Sequence, residues 1–102
     1  MLHRVAAVDE IPAGGRKSVV VDETAILLLR AGDDFYAIED VCTHDGQPLT
    51  DGPFHDHEIQ CPRHGARFDI VNGKALCMPA IEPVAVFEVE VQDGQVYIRT
   101  QD

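Results

Sequence analysis

Apolar and polar residues alternate most regularly near the end of the chain. In residues 87–91, two glutamates occupy one face of an extended strand and three apolar side chains occupy the other. Asp93 and Gly94 follow as a turn signal, because a type I′ turn needs positive φ at both central positions. On the return strand, Val96 and Ile98 again lie on the apolar face. This segment is therefore predicted to be a half-buried β-hairpin.

Shorter apolar runs earlier in the chain also have the length and composition of β-strands. They are separated by polar or glycine-containing connections, and the predicted strands are 19–21, 26–29, 35–38, 68–70 and 74–76. Asn72 and Gly73 predict a second hairpin between the last two of these strands. No segment keeps a helical period. The pattern predicts an all-β fold, an antiparallel sandwich or barrel.

Length and composition limit the class of protein. With 102 residues, 45% of them hydrophobic and 25% charged, the chain is expected to form one globular domain, 1–102. Its net charge of −10 makes nucleic acid and anionic membranes poor partners, whereas a basic patch on another protein could attract it. No apolar run is long enough to span a membrane. The N-terminus has no signal-peptide pattern, so we expect a cytoplasmic protein.

Cysteine and histidine occur together in two short stretches. Cys42 and His44 are separated by one residue, and Cys61 and His64 by two. The three cysteines are an odd number, and a disulfide framework is not expected in a reducing cytosol. Both stretches fall in turn-rich segments between predicted strands. The sequence therefore predicts two loops that each present one thiolate and one imidazole to a metal site.

Three kinds of metal site could use two cysteines and two histidines. Structural zinc takes such a set in a tetrahedral arrangement. Copper usually prefers two histidines, one cysteine and a weak axial methionine. A two-iron, two-sulfide cluster can take both cysteines on one iron and both histidines on the other. A mixed pair in each loop differs from the ββα zinc finger, which has its two cysteines together and its two histidines together on a helix.

The stretch Cys42-Thr43-His44, taken with residues 61–65, Cys-Pro-Arg-His-Gly, resembles the Rieske iron-sulfur motif. The following segments 68–76 and 78–83 are also similar to that family. The resemblance implies one Rieske-type [2Fe-2S] cluster held by Cys42, His44, Cys61 and His64. It implies that a small cluster-binding subdomain, about residues 41–77, carries the two loops on the β scaffold. It also implies that the proline-bearing segment shields the cluster from water.

The residues around the motif indicate which kind of Rieske protein the chain resembles. Respiratory Rieske domains have an extra cysteine in each loop, and a disulfide joins the two. The corresponding positions here are Gln47 and Arg63, so this disulfide cannot form. High-potential members also place hydroxyl donors at positions that correspond to Ala66 and Phe68. Hydrogen-bond donors near the sulfur atoms of the cluster raise its reduction potential. We therefore expect a potential in the lower half of the roughly −150 to +300 mV Rieske range.

The chain has no histidine after Gly65, so it cannot supply the mononuclear iron site of an oxygenase catalytic subunit. It resembles instead the soluble ferredoxins of bacterial ring-hydroxylating dioxygenase systems. That resemblance implies a one-electron carrier, not an enzyme, between a flavin-dependent NAD(P)H reductase and a terminal oxygenase, and a monomer in isolation. Two alternatives remain open. They are the small Rieske subunit of a nitrite reductase and a structural zinc-binding interaction module.

Four further residues with metal-binding side chains lie outside this set. His55 and His57 are predicted to lie on a polar surface loop, and Cys77 is predicted to be a buried or semi-buried small side chain. His3, near the start of the chain, is predicted to be exposed.

Overall fold

The structure, a computed structural model, describes residues 1–44, 46–63, 65–78, 80 and 82–100. His64 of the predicted ligand set, and positions 79 and 81 of the segment 78–83, lie outside this part of the chain. The described elements are nine β-strands and one short 3-10 turn at Val8–Glu10. The strands are β1 (Leu2–Ala7), β2 (Arg16–Val21), β3 (Thr24–Ala31), β4 (Asp34–Glu39), β5 (Phe54–His55), β6 (Glu58–Gln60), β7 (Arg67–Asp69), β8 (Val86–Gln92) and β9 (Gln95–Arg99).

The strands form two antiparallel sheets of unequal size. Six of them form a large sheet in the order β1-β9-β8-β4-β3-β2, and β5-β6-β7 form a small one. Lys17 of β2 donates a hydrogen bond of 2.9 Å to the Val5 carbonyl of β1, so the two ends of the large sheet lie together. The predicted all-β antiparallel fold with a small appended subdomain is confirmed. No helix in the described residues is long and apolar enough to cross a membrane.

Strand β3 explains how the two parts share a core. Its residues Ile26, Leu27, Leu28 and Leu29 are all fully buried. Leu27 and Leu29 belong to the hydrophobic cluster that contains the small sheet, whereas Ile26 and Leu28 belong to the cluster inside the large sheet. Because successive side chains of a strand point to opposite faces, an uninterrupted apolar run is what a strand buried on both faces requires.

Two tight turns have left-handed residues at both central positions, and the sequence predicts one of them. Asp93 and Gly94 have φ of 51° and 76°, so both central residues of the C-terminal hairpin are left-handed, as predicted. Asp22 and Glu23, between β2 and β3, have φ of 49° and 67° without any glycine. The hydrogen-bonded register of β2 and β3 therefore imposes a turn that acidic residues adopt only at some cost.

The second predicted hairpin is only partly present. Gly73 has φ of 81°, and the Asp69 amide donates to the Lys74 carbonyl at 2.9 Å, so the turn forms. The predicted strand at 74–76 is wrong, because this segment makes a single bridge, between Phe68 and Ala75. The Gly73 carbonyl instead accepts a hydrogen bond of 2.8 Å from the Val84 amide. The chain therefore leaves the small sheet after one bridge.

Strand β1 was not predicted. The strand buries few side chains fully, since it lies at one end of the large sheet, and apolar periodicity is correspondingly weak there. The prediction that His3 is exposed is wrong. Its side chain is 25% exposed and lies 3.5 Å from the Asp22 carboxylate, and its Nε2 is 3.1 Å from the Thr100 hydroxyl.

Candidate metal centre

The two Cys/His stretches occupy loops that leave the scaffold at neighbouring positions. The first Cys/His loop (residues 42–52) follows β4, and the second Cys/His loop (residues 61–66) joins β6 to β7. Cys42 is 1% exposed and Cys61 is fully buried. Both side chains belong to the same hydrophobic cluster, which also contains Leu49 and Phe68. The fold thus brings the two predicted thiol ligands into one apolar environment.

The backbone of the first loop folds back on its cysteine. The Cys42 amide donates to the Gln47 carbonyl at 2.7 Å, and the Gly46 amide donates to the Cys42 carbonyl at 2.7 Å. These bonds close the segment into a compact turn around the cysteine. A turn of this kind constrains the direction of the Cα–Cβ bond of Cys42.

The second loop repeats the same hydrogen-bond pattern. The Cys61 amide donates to the Ala66 carbonyl at 2.7 Å, and the Gly65 amide donates to the Cys61 carbonyl at 3.2 Å. The glycine four residues after each cysteine has a left-handed backbone, with φ of 76° at Gly46 and 79° at Gly65. Glycine adopts this conformation at little steric cost. The two loops therefore present their cysteines from matching backbone frames.

The histidines of the predicted set differ from the cysteines in environment. His44 is exposed, although Cys42 two residues earlier is buried. His64 lies outside the described residues. Within the described residues, no three side chains of His, Cys, Asp or Glu lie close enough together to hold a metal ion. The arrangement of buried thiols and an exposed imidazole fits a group with one apolar side and one solvent-facing side.

The four residues that distinguish subclasses lie in the two loops or directly after the second one. Gln47 and Arg63 are exposed, and no disulfide joins the three cysteines, all of which are described. Ala66 and Phe68 are fully buried beside Cys61. Neither side chain carries a hydroxyl group. Neither side chain can therefore donate a hydrogen bond to a cluster held by Cys61.

The cover segment (residues 76–84, of which 79 and 81 are not described) contacts both loops. The Thr43 hydroxyl donates to the Glu82 carbonyl at 2.8 Å, joining the cover segment to the first loop. The Cys77 thiol donates to the Gly65 carbonyl at 3.5 Å, joining it to the second. Ala80 and Val84 are buried in the cluster that contains the cysteines. The described part of the segment thus closes the apolar side of the centre.

Cys77 is half-buried, as predicted, but it also has a charged neighbour that the sequence did not reveal. Arg67 Nε lies 3.5 Å from Cys77 Sγ. This hydrogen bond holds the pKa of the Cys77 thiol below its ordinary value, although burial and the Glu58 carboxylate both act to raise it. The same contact raises the pKa of Arg67.

Alkylation of Cys77 tests this electrostatic contact. Since the folded-state pKa is depressed, the thiolate should form at lower pH than in an ordinary cysteine, and iodoacetamide should label Cys77 measurably at neutral pH. Arg67→Met should move the pH midpoint of labelling upward, and Glu58→Gln should move it downward. The midpoint is read from labelling rates by mass spectrometry. An Arg67→Met protein with the wild-type midpoint would contradict the assignment.

His55 and His57 lie on the surface, as predicted. His55 is 92% exposed and 3.4 Å from the Asp56 carboxylate, at the tip of the β5–β6 hairpin. His57 is exposed and contacts the Tyr36 ring edge-on, with the ring centroids 5.5 Å apart. Neither belongs to the loops that carry Cys42 and Cys61.

Two polar residues that contact the first loop were missed in the sequence. The Asp40 carboxylate accepts hydrogen bonds from the Leu49 amide, at 2.7 Å, and from the Thr50 hydroxyl. Arg16, far away in the sequence, donates to the Thr50 carbonyl at 2.7 Å. An acidic residue two positions before Cys42 was the available signal for Asp40. Nothing in the sequence indicates the contact of Arg16.

Comparison with known protein families and curated proteins gives a consistent result. Residues 1–88 match the family model described as "Rieske [2Fe-2S] domain". The chain is 40% identical over 93 residues to Ferredoxin CarAc of Metapseudomonas resinovorans, covering 91% of this chain and 87% of the relative. It is 34% identical over 101 residues to the 3-phenylpropionate/cinnamic acid dioxygenase ferredoxin subunit of Escherichia coli K12, covering 95% and 93%.

Solved structures show the same similarity over nearly the whole chain. The ferredoxin of carbazole 1,9a-dioxygenase from Nocardioides aromaticivorans IC177 superposes with a TM-score of 0.95 at 32% identity, covering 99% of each chain. A chain from a complex of reduced oxygenase and oxidized ferredoxin in carbazole 1,9a-dioxygenase has a TM-score of 0.90 at 37% identity, covering 95% of this chain and 91% of that one.

Proposed function

Because the chain belongs to the Rieske [2Fe-2S] domain family, we propose that it is the ferredoxin of a ring-hydroxylating dioxygenase system, a one-electron carrier and not itself an enzyme. The observation that carries this proposal is the pair of loops with matching backbone frames. These loops bury Cys42 and Cys61 in one hydrophobic cluster and leave His44 exposed. A relative that aligns over nearly the whole chain is named as the ferredoxin subunit of a dioxygenase, and a solved structure that covers 99% of this chain is named as the ferredoxin of carbazole 1,9a-dioxygenase.

The cofactor is one Rieske-type [2Fe-2S] cluster, as the sequence predicts. We infer that Cys42 and Cys61 ligate the inner iron and that His44 and His64 ligate the outer iron, within a cluster-binding part of about residues 41–77. When bound, such a cluster takes up and releases one electron. Burial of both thiols and exposure of His44 support this ligand assignment.

In an electron carrier, the residues around the two loops exclude water from one side of the cluster and leave a path for electrons on the other. Leu49, Phe68 and Ala80 exclude water from the side of the cysteines. His44, by contrast, is exposed, which gives electrons a short path to a docked protein. The net charge of −10 favours encounter with basic surfaces at low ionic strength.

We propose two partners and a compartment on the same grounds. The electron donor is a flavin-dependent NAD(P)H reductase, and the acceptor is a terminal oxygenase. The chain lacks a histidine after Gly65 for a second iron site, so it carries electrons without performing the oxygenation. We expect a cytoplasmic protein that is a monomer when isolated.

Reconstitution tests the proposed function. The purified chain should be red-brown and contain about two iron and two acid-labile sulfide per molecule. It should accept one electron and restore turnover when it replaces the native ferredoxin in a carbazole 1,9a-dioxygenase assembly of reductase, ferredoxin and oxygenase. A colourless protein with a single zinc would favour an interaction module. A red-brown protein that the reductase cannot reduce would contradict the proposed donor.

The reduction potential is a separate prediction. Because Ala66 and Phe68 supply no hydroxyl donors, we expect a midpoint in the lower half of roughly −150 to +300 mV. Ala66→Ser should raise it by tens of millivolts, the order expected for one added hydrogen bond. Ala37→Ser, a buried site in the cluster inside the large sheet, should leave it unchanged. A wild-type midpoint near +300 mV, or an unchanged midpoint in Ala66→Ser, would contradict this account.

A further inference from the structure

Asp40 is the one polar or charged side chain that is buried among the residues described, with 9% exposure. A buried carboxylate is costly unless donors satisfy it. Its two donors are the Leu49 amide, at 2.7 Å, and the Thr50 hydroxyl, both in the last part of the first Cys/His loop. The carboxylate therefore holds the far end of the loop that Cys42 begins.

The backbone of Asp40 is hydrogen-bonded to the large sheet. Asp40 directly follows β4, and its amide donates to the Ala25 carbonyl of β3 at 2.9 Å. The backbone that carries the carboxylate is thus part of the hydrogen-bonded scaffold. Leu49, whose amide donates to Asp40, is fully buried in the hydrophobic cluster that contains Cys42.

Arg16 supports the same part of the loop from β2. Its guanidinium donates to the Thr50 carbonyl at 2.7 Å and to the Gly52 carbonyl at 2.5 Å. It also lies 5.8 Å from the centroid of the Phe54 ring. Asp40, directly after β4, and Arg16, in β2, therefore hold residues 49–52 in place through four hydrogen bonds.

Residues 49–53 contact β6, the strand that immediately precedes Cys61. The Gln60 amide donates to the Pro53 carbonyl at 2.9 Å. A Cβ atom placed on Gly52 would lie 1.7 Å from the Gln60 carbonyl oxygen, so the two backbones are in close contact. Gln60 immediately precedes Cys61. A displacement of residues 49–53 would therefore move β6 and Cys61 relative to Cys42.

We propose that Asp40 and Arg16 are positioning residues that fix the separation of the two Cys/His loops and so keep the cluster bound in a single geometry. This inference rests on the ligand set proposed above. Neither residue ligates iron. They act through Leu49, Thr50 and Gly52, whose positions they determine.

Thr50 gives the sharpest test, because its half-buried side chain donates directly to the Asp40 carboxylate and its hydroxyl can be removed with little change of volume. Thr50→Val removes the hydroxyl and keeps the volume, whereas Thr50→Ser keeps the hydroxyl. In Thr50→Val, iron should pass to a ferrous chelator about tenfold faster than in wild type, as expected for the loss of one hydrogen bond to a charged group. The EPR signal of the reduced protein should broaden. Thr50→Ser should match wild type in both measurements.

Asp40 and Arg16 provide a second pair of comparisons. Asp40→Leu should release iron faster and broaden the EPR signal. Asp40→Asn should retain most of the wild-type behaviour, because its oxygen can accept from Leu49 and its amide can donate to Thr50. Arg16→Met should resemble Asp40→Leu. If Asp40→Leu does not fold, the two Thr50 variants decide the matter.

A matched control separates positioning from general stability. Val96→Ala removes buried methyl groups from the cluster inside the large sheet, away from both loops. At an equal loss of Tm, it should release iron more slowly than Thr50→Val and keep the wild-type EPR signal. Equal release rates in Val96→Ala and Thr50→Val, or identical behaviour of Thr50→Val and Thr50→Ser, would overturn the proposal. A wild-type protein without iron and sulfide would instead refute the proposed function.

Discussion

Cys61→Ala is expected to yield a colourless protein in which iron and acid-labile sulfide fall to background. Cys61 is fully buried and is the cysteine of the second loop. Alanine fills its place in the apolar cluster but offers no thiolate, and a binuclear cluster does not survive the loss of one of two sulfur ligands. Iron and sulfide analysis and the visible spectrum measure the result.

Cys77→Ala is the matched control for this prediction. The substitution is chemically the same, and Cys77 also contacts the second loop, through the Gly65 carbonyl. We expect Cys77→Ala to keep the full visible spectrum and wild-type iron content. A Cys61→Ala protein that retains its colour would contradict the assignment of Cys61 as a ligand, and a bleached Cys77→Ala protein would contradict the exclusion of Cys77 from the ligand set.

Gly52→Ala is expected to be the most disruptive substitution outside the ligands. An added Cβ would lie 1.7 Å from the Gln60 carbonyl oxygen and 3.3 Å from the Leu49 carbonyl oxygen. Both neighbours are backbone atoms in hydrogen-bonded segments, so no side-chain rotation relieves the clash. We expect a loss of about 3 kcal/mol or more in the free energy of unfolding, together with loss of iron. Denaturant titration and iron analysis measure the two effects.

Gly32→Ala is the control for Gly52→Ala. Gly32 lies in the β3–β4 turn with φ of 62°, and a Cβ there would meet nothing within 4 Å. This variant should lose only about 1 kcal/mol from backbone strain and should keep its iron. Equal destabilisation of the two variants would show that steric contact with Gln60 is not what requires glycine at position 52.

Local sequence determined much of the strand framework. Asp93 and Gly94 form the predicted left-handed turn, and Val96 and Ile98 are fully buried as the alternation requires. These features depend on interactions between residues a few positions apart, such as the conformational freedom of glycine and the period of a strand. The motif of Cys42 and His44 with Cys61 and His64 likewise identified the family, because each Cys/His pair lies within one short stretch of sequence.

Tertiary structure decided what local signals could not. The segment at 74–76 has the composition of a strand, yet it makes only one bridge to β7, and its last hydrogen bond to that strand runs from the Leu76 amide to the Arg67 carbonyl at 2.7 Å. The contact between Arg67 and Cys77, which lowers the thiol pKa, joins residues that are adjacent only because the chain folds back at Gly73.

The sequence by itself determined the family, the cofactor and the all-β class, because a ligand motif and a strand period are both written in short stretches of residues. Only the tertiary structure placed Arg16 and Asp40 on the end of the first loop and that loop against Gln60. Arg16 is 34 residues from Thr50 in the sequence. Contacts at such separations arise from the packing of one sheet on another, which no local pattern encodes.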